Sequence, residues 1–360
     1  MSTSPDQPLA DDQLALWEFA GLLTTYWCNA ACEFCYVYSS PRLGGRLEPD
    51  LALSIWSSLH ELAARHGHTM RIHLAGGEPF GDWPHLLSLV SRARRAGLPP
   101  VEKIETNAFW ATSDGLTRSR LEQLAALGVE RLVVSCDVYH QQFVPFERVR
   151  RCVEIARQVL CRGRVRVRWW DFYNQPLDPR PLSAAQRRAA FAAAMARHRD
   201  RLTGRAAERL ADLLELHPPE AFAQQNCVSA VLHSRHVHID PYGHVFPGVC
   251  SGIILGNAAR HPPADLWHHL AANWRDHPIV SAVVTGGSYA LMQLALRHGY
   301  QPRPAGYADK CHLCHHVRSF LFERGRLREW LGPGECYGRP TPPGTPLPVI
   351  DPPPAKEDPS

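Results

Sequence analysis

Read for membrane spans and for export, this sequence yields neither. No apolar run is read as approaching the roughly 20 residues that a bilayer-crossing helix needs, and a non-membrane protein is expected. Met1 to Asp12 is polar and acidic, without the basic start, apolar stretch and small-residue cleavage site of a secretory signal, so a cytoplasmic location is expected. Blocks of like charge are missing too. The 39 Lys and Arg and the 35 Asp and Glu, with a net charge of +4, are spread along the 360 residues, and nothing calls for a nucleic-acid partner. No internal repeat is found, which argues against a solenoid. Cysteine, by contrast, is plentiful. Eleven of them in a chain without an export signal read as metal or redox chemistry before disulfides, because cytosolic thiols are kept reduced.

The length suggests two domains, at about 150 residues each. Up to residue 170, short β-rich runs alternate with segments of helical period, the pattern of a parallel α/β architecture. Strands are expected at residues 19–26, 70–75, 101–106, 131–135 and 164–169. Crossover helices are marked by Leu51, Ile55, Leu59 and Leu62, by Leu121, Leu124 and Leu127, and by Val149, Val153 and Ala156. Residues 184–217 read as a long helix broken at Gly204. Asp240-Pro241-Tyr242-Gly243 suits a tight turn joining a hairpin. The organisation expected is a disordered residue range 1–16, a main domain over 17–222, a smaller α+β domain over 223–337, and a proline-rich disordered tail over 338–360.

Cys28, Cys32 and Cys35 follow the first strand, where active sites of parallel β/α folds collect. Three thiolates on one loop hold three irons of a cluster and leave the fourth open. A structural zinc site wants four ligands, which a lone triplet does not supply. The arrangement C-x-x-x-C-x-aromatic-C, over a chain segment of roughly residues 19–170, resembles the signature of the radical SAM superfamily. That resemblance implies a partial (β/α)6 TIM-like barrel, a 4Fe-4S cluster that binds S-adenosyl-L-methionine (SAM), and a 5′-deoxyadenosyl radical that abstracts hydrogen. It also implies that Phe34 borders the adenine.

Gly76-Gly77-Glu78-Pro79 follows the second strand and is similar to the family's GGEP motif, which implies that Gly76, Gly77 and Glu78 grip the SAM amino group. Asn107 and Ser135, at the ends of the third and fourth strands, resemble ribose and carboxylate contacts, with Arg148 as a partner for the SAM carboxylate. Capping of the next helix is the alternative for Asn107 and Ser135, and a solvated position for Arg148. Arg164, Arg166 and Arg168 share one strand face. They read as a charged edge, with Arg168 able to reach an anionic substrate. Tyr139 and His140 are further candidates for substrate contact.

Cys227, Cys250, Cys311 and Cys314 form a second set whose layout resembles the twitch or SPASM-type extension of that superfamily and implies one auxiliary 4Fe-4S cluster. Zinc on the same four sulfurs stays open, as does replacement of a cysteine by His312, His315 or His316. Cys311-His312-Leu313-Cys314-His315 also matches a haem-attachment pattern, against which the missing export signal counts. Cys336 and Cys136 are candidate hydrogen-atom donors, and Cys336 a candidate cluster ligand. The resemblance implies an electron donor such as a flavodoxin or ferredoxin and, as substrate, a ribosomally made peptide or protein. Oxidation or epimerisation of a small molecule is the alternative, and a non-catalytic metal-binding barrel is the rival from another class.

Overall fold

The structure, a computed structural model, describes residues 10, 12–198 and 201–340. Its centre is an open eight-stranded sheet in the order β5-β4-β3-β2-β1-β6-β7-β8. β1 (Phe19–Leu23), β2 (Arg71–Ala75), β3 (Val101–Thr106), β4 (Arg131–Ser135) and β5 (Val165–Arg168) run parallel. The crossover helices Pro49–Arg65, Trp83–Arg95, Asp114–Ala126 and Phe146–Val159 connect them. Parallel strands are covered on both faces and read as buried apolar runs, as in β1 and β2, where nearly every residue is buried. The apolar periodicity expected for the helices faces the core through Ile55, Leu59, Leu62, Leu121, Leu124, Val149, Val153 and Ala156. The sheet does not close, and the architecture is a partial barrel.

The sixth parallel strand lies at the other end of the sheet. β6 (His236–Ile239) pairs with β1, and β7 (His244–Pro247) and β8 (Gly256–Asn257) extend the sheet antiparallel from it. The Asp240 carboxylate accepts from the Tyr242 and His244 N–H groups, at 2.9 and 2.8 Å, and so holds the expected turn. The boundary expected at 222/223 is therefore no break in the sheet. One continuous apolar core also runs from Leu14 to Tyr337.

Three expectations need correction. Residues 12–16, expected to be disordered, are packed: Leu14 and Ala15 are buried, the Ala15 N–H donates to Leu232 O at 2.7 Å, and Trp267 Nε1 donates to Ala15 O at 2.9 Å. The rest of the two expected disordered stretches lies largely outside the described residues. The long helix expected over 184–217 ends at Arg197, and a short one resumes at Arg205–Arg209. Finally, helix Pro278–Leu296 is long and apolar enough to cross a membrane by length and composition, against the reading of no such run. It is broken at Gly286 and Gly287, and it buries Ile279, Val280, Val283, Leu291 and Met292, as a core helix does.

Candidate active site

The loop after β1 carries the first three cysteines and is closed by its own backbone. The Cys28 N–H donates to Ser40 O at 3.2 Å, and the Leu47 N–H donates to Thr24 O at 3.0 Å. Gly76 and Gly77 brace it from the end of β2, with Gly77 N–H on Thr25 O at 2.7 Å and Glu78 N–H on Trp27 O at 2.9 Å. Only glycine permits this approach. A Cβ on Gly77 would fall 1.9 Å from Trp27 O, and Gly76 has φ +129°.

Above the loop lies a cavity of about 330 Å³, within the range of small-molecule sites, about 300–1,000 Å³. Cys28, Cys32, Cys35, Phe34, Gly76, Gly77, Glu78, Asn107 and Ser135 all line it, together with His140 and Arg168. The geometry thus brings nine residues expected to hold the cluster or SAM, and two of the substrate candidates, to one place. Phe34 stacks on Tyr139 at 5.4 Å and meets Trp169 edge-on at 5.3 Å, with the Arg168 guanidinium 5.7 Å over its ring. Asn107 Nδ2 donates to Asn29 Oδ1 at 2.8 Å, tying β3 to the cysteine loop.

The Glu78 carboxylate lines the cavity and is also held by its neighbours. It accepts from Thr106 Oγ1 at 2.7 Å, from Asn107 N–H at 2.7 Å and from Phe80 N–H at 3.2 Å. Burial nevertheless raises its pKa to about 7 against these donors. Three other candidates lie outside the lining of this cavity. Arg148 is not among the cavity-lining residues. Its Nη1 donates to Phe109 O at 2.6 Å, pinning the segment after β3. Cys136 is buried beneath the cavity with Gln141 Nε2 at 3.5 Å, and Cys336 is buried against Tyr26 Oη at 3.6 Å. Neither lines the cavity.

Arg205 was not singled out from the sequence. Its Nη1 donates to Cys32 O at 2.7 Å, its Nη2 to Ser39 O at 3.0 Å and to Tyr38 O, and its own N–H to Cys35 O at 2.9 Å. Gly204, at φ +59°, makes the approach possible, because a Cβ there would fall 2.4 Å from Tyr36 O. The expected helix break thus serves the cysteine loop. Three histidines, His73, His236 and His238, also line the cavity. Burial and their mutual proximity lower His236 to about 2 and His238 to about 3, so the rings are neutral.

Cys227, Cys250, Cys311 and Cys314 gather within electrostatic reach of one another. Burial raises Cys227 to about 12, with Cys314 and Cys250 adding to it, and Cys311 is raised by burial, Asp309 and the other three thiols. Arg318, only 1% exposed, lies among them and donates to Ser251 O at 2.7 Å. Burial lowers its pKa, but the negative charge available from Tyr337, Cys314 and Cys250 outweighs this and raises it. Cys336 has the Tyr26 hydroxyl as a hydrogen-bond neighbour and Asp240, Glu335 and Arg318 as charged neighbours. The histidines are engaged elsewhere. His312 Nε2 meets Arg303 at 2.8 Å, His315 Nε2 meets Tyr38 Oη at 2.9 Å and His316 Nδ1 meets Tyr300 Oη at 3.3 Å.

Thiolates around a single tetrahedral zinc stand about 3.8 Å apart, from a bond length of about 2.3 Å. Among the described residues no three of these seven thiols fall within 4.8 Å of one another. Arg201 lines the cavity and also lies within electrostatic reach of Cys227 and Cys250.

The chain is similar to several known proteins. Residues 22–165 match the Radical SAM superfamily. YydG of Bacillus subtilis (strain 168), assigned to peptide biosynthesis, is 28% identical over 134 residues, which are 36% of this chain and 39% of that protein. The match thus spans about two fifths of the curated relative's length. Among solved structures, BtrN in complex with AdoMet and 2-DOIA aligns at 17% identity with a TM-score of 0.47, over 76% of this chain and 89% of its own. Native anSMEcpe with bound AdoMet and Cp18Cys peptide aligns at 12% identity with a TM-score of 0.42, over 85% and 97%. Residues 22–165, the segment similar to the Radical SAM superfamily, run from the end of β1 to the start of β5 and carry the three-cysteine loop with its glycine brace.

Proposed function

We propose that this protein is a radical SAM enzyme that modifies a peptide, with one 4Fe-4S cluster on Cys28, Cys32 and Cys35 and an auxiliary cluster on Cys227, Cys250, Cys311 and Cys314. The observation that carries the reading is the opening of three cysteines from one loop onto a single cavity. Bound there, the cluster supplies the electron that cleaves SAM to the 5′-deoxyadenosyl radical. The residues of the chain position and enclose. Gly76 and Gly77 let backbone approach the loop, Phe34 offers an aromatic face, and Asn107 and Ser135 offer polar contacts at the mouth. Tyr139 and Trp169 wall the aromatic side against water. Arg168 and His140 face the remaining space and suit an anionic or hydrogen-bonding substrate group. A peptide substrate is supported by the relative assigned to peptide biosynthesis. An electron donor such as a flavodoxin or ferredoxin, in a reducing cytoplasm, belongs to the same reading.

Anaerobic reconstitution with iron and sulfide, followed by dithionite and SAM, should release 5′-deoxyadenosine. Replacing Cys28, Cys32 and Cys35 with alanine should abolish it and leave the iron of the second site. Continued SAM cleavage by the triple variant would refute the proposal. Residual zinc in place of iron would refute the auxiliary cluster alone.

A further inference from the structure

Three imidazoles converge on the inner face of the sheet. His73 comes from the middle of β2, and His236 and His238 come from alternate positions of β6. Among the described residues they are the one group of three His, Cys, Asp or Glu side chains whose candidate ligand atoms all lie within 4.8 Å of one another. The Nε2 atoms of His73 and His236 are 3.1 Å apart. Two nitrogens on one tetrahedral zinc, each at about 2.05 Å, stand about 3.4 Å apart. The rings are therefore at nearly the spacing a shared ion requires.

The backbone leaves room for that ion. Gly21 of β1 pairs in register with His73 on one side and His238 on the other. A Cβ at Gly21 would fall 2.1 Å from His73 Nε2 and 2.7 Å from His238 Nε2. Two of the three far ring nitrogens face an oxygen, and that of His238 is hydrogen-bonded. His238 Nδ1 lies 2.6 Å from Gly248 O and donates to it, which leaves the Nε2 lone pair free. His73 Nδ1 faces Glu105 at 3.4 Å, and Glu105 pairs with Lys103 at 2.6 Å. A carbonyl or carboxylate behind a ligating histidine fixes its tautomer and strengthens it as a donor. All three rings line the cavity that Cys28, Cys32 and Cys35 line, so a fourth coordination position opens toward substrate.

We propose that His73, His236 and His238 bind a divalent transition-metal ion, zinc by the donor set, and that this ion takes an oxygen donor of the substrate, a carboxylate or a peptide carbonyl, at its fourth position. The site requires neither SAM nor the cysteines, so it stands or falls separately from the proposed activity.

Full-length protein with its cysteine sites filled by iron leaves imidazole as the site for added Co²⁺. The expected result is the visible absorption of tetrahedral cobalt at one equivalent per chain, shifted by azide, and a melting temperature raised by Zn²⁺. His236→Gln removes a ligand, and Gly21→Ala keeps every ligand but fills the ion's place. Both should lose one equivalent of metal and the cobalt bands while keeping the iron content. Wild-type protein without cobalt bands, or folded variants that bind metal as wild type does, would overturn the site. Bands that azide leaves unchanged would overturn the open position.

Discussion

Arg205→Ala tests the bracing of the cysteine loop independently of any cluster. The substitution removes three side-chain hydrogen bonds, to Cys32 O, Ser39 O and Tyr38 O. Bonds from a charged donor contribute about 1.5–3 kcal/mol each, before allowance for water that reaches the partly exposed guanidinium. A net loss of about 3 kcal/mol is expected, borne mostly by local opening of the loop. That corresponds to a roughly 100-fold rise in the open population, and to about 4 °C in melting temperature, taking about 2.1 cal/mol/K per residue. Cys32 is 6% exposed in the closed loop, so its alkylation in metal-free protein reports the opening. Peptide mass spectrometry after a timed iodoacetamide pulse should show Cys32 labelled on the order of 100-fold faster in the variant. Arg205→Lys should fall between, because a lysine keeps the charge but not the planar fork. Labelling within about twofold of wild type, with unchanged melting, would refute the bracing role.

Gly77→Ala drives a Cβ into Trp27 O and should cost about 1–3 kcal/mol by overpacking; wild-type melting and SAM affinity by equilibrium dialysis would count against the brace. Glu78, raised from 4.5 to about 7 by burial, binds its proton more tightly folded than unfolded. Its contribution is complete below pH 4.5 and is lost as pH rises through 7, a swing of about 3 kcal/mol. Glu78→Gln should flatten this part of the stability curve, and urea midpoints from pH 4.5 to 8 with an unchanged slope would contradict the shift. Arg318→Met keeps the volume but removes the donor to Ser251 O and the charge beside Cys250 and Cys314. Iron held by the second site should fall, and an iron content equal to wild type would show that the guanidinium does not support it.

Periodicity placed β3 and β4 to the residue, because short apolar runs between helical segments admit one reading in a parallel sheet. The ends of β1 and β5 were drawn too long. Residues 24–26 leave the sheet to begin the cysteine loop, and Trp169 takes a left-handed φ of +59°, neither of which hydrophobicity records. The place of β6 beside β1 was illegible, since strand neighbours at opposite ends of a chain leave no local trace. Arg205 was missed for a related reason. One arginine in an Arg-rich stretch gives no sign that its partners are carbonyls more than 160 residues earlier. The His236-x-His238 alternation was visible, but its third member is 163 residues away.

What the sequence determined by itself was local chemistry: three thiols at fixed spacing on one loop, the Gly-Gly pair beside them, the hairpin turn, and the four later cysteines. These rest on short-range geometry, in which neighbouring residues cannot be far apart. Tertiary structure alone decided which groups share a cavity. It turned Glu78 toward Thr106, Asn107 and Phe80, withdrew Arg148, Cys136 and Cys336 from the cavity, and brought Arg205 and the three histidines to the loop. Contacts of that kind depend on sheet order and register, and those are settled by burial of the whole core.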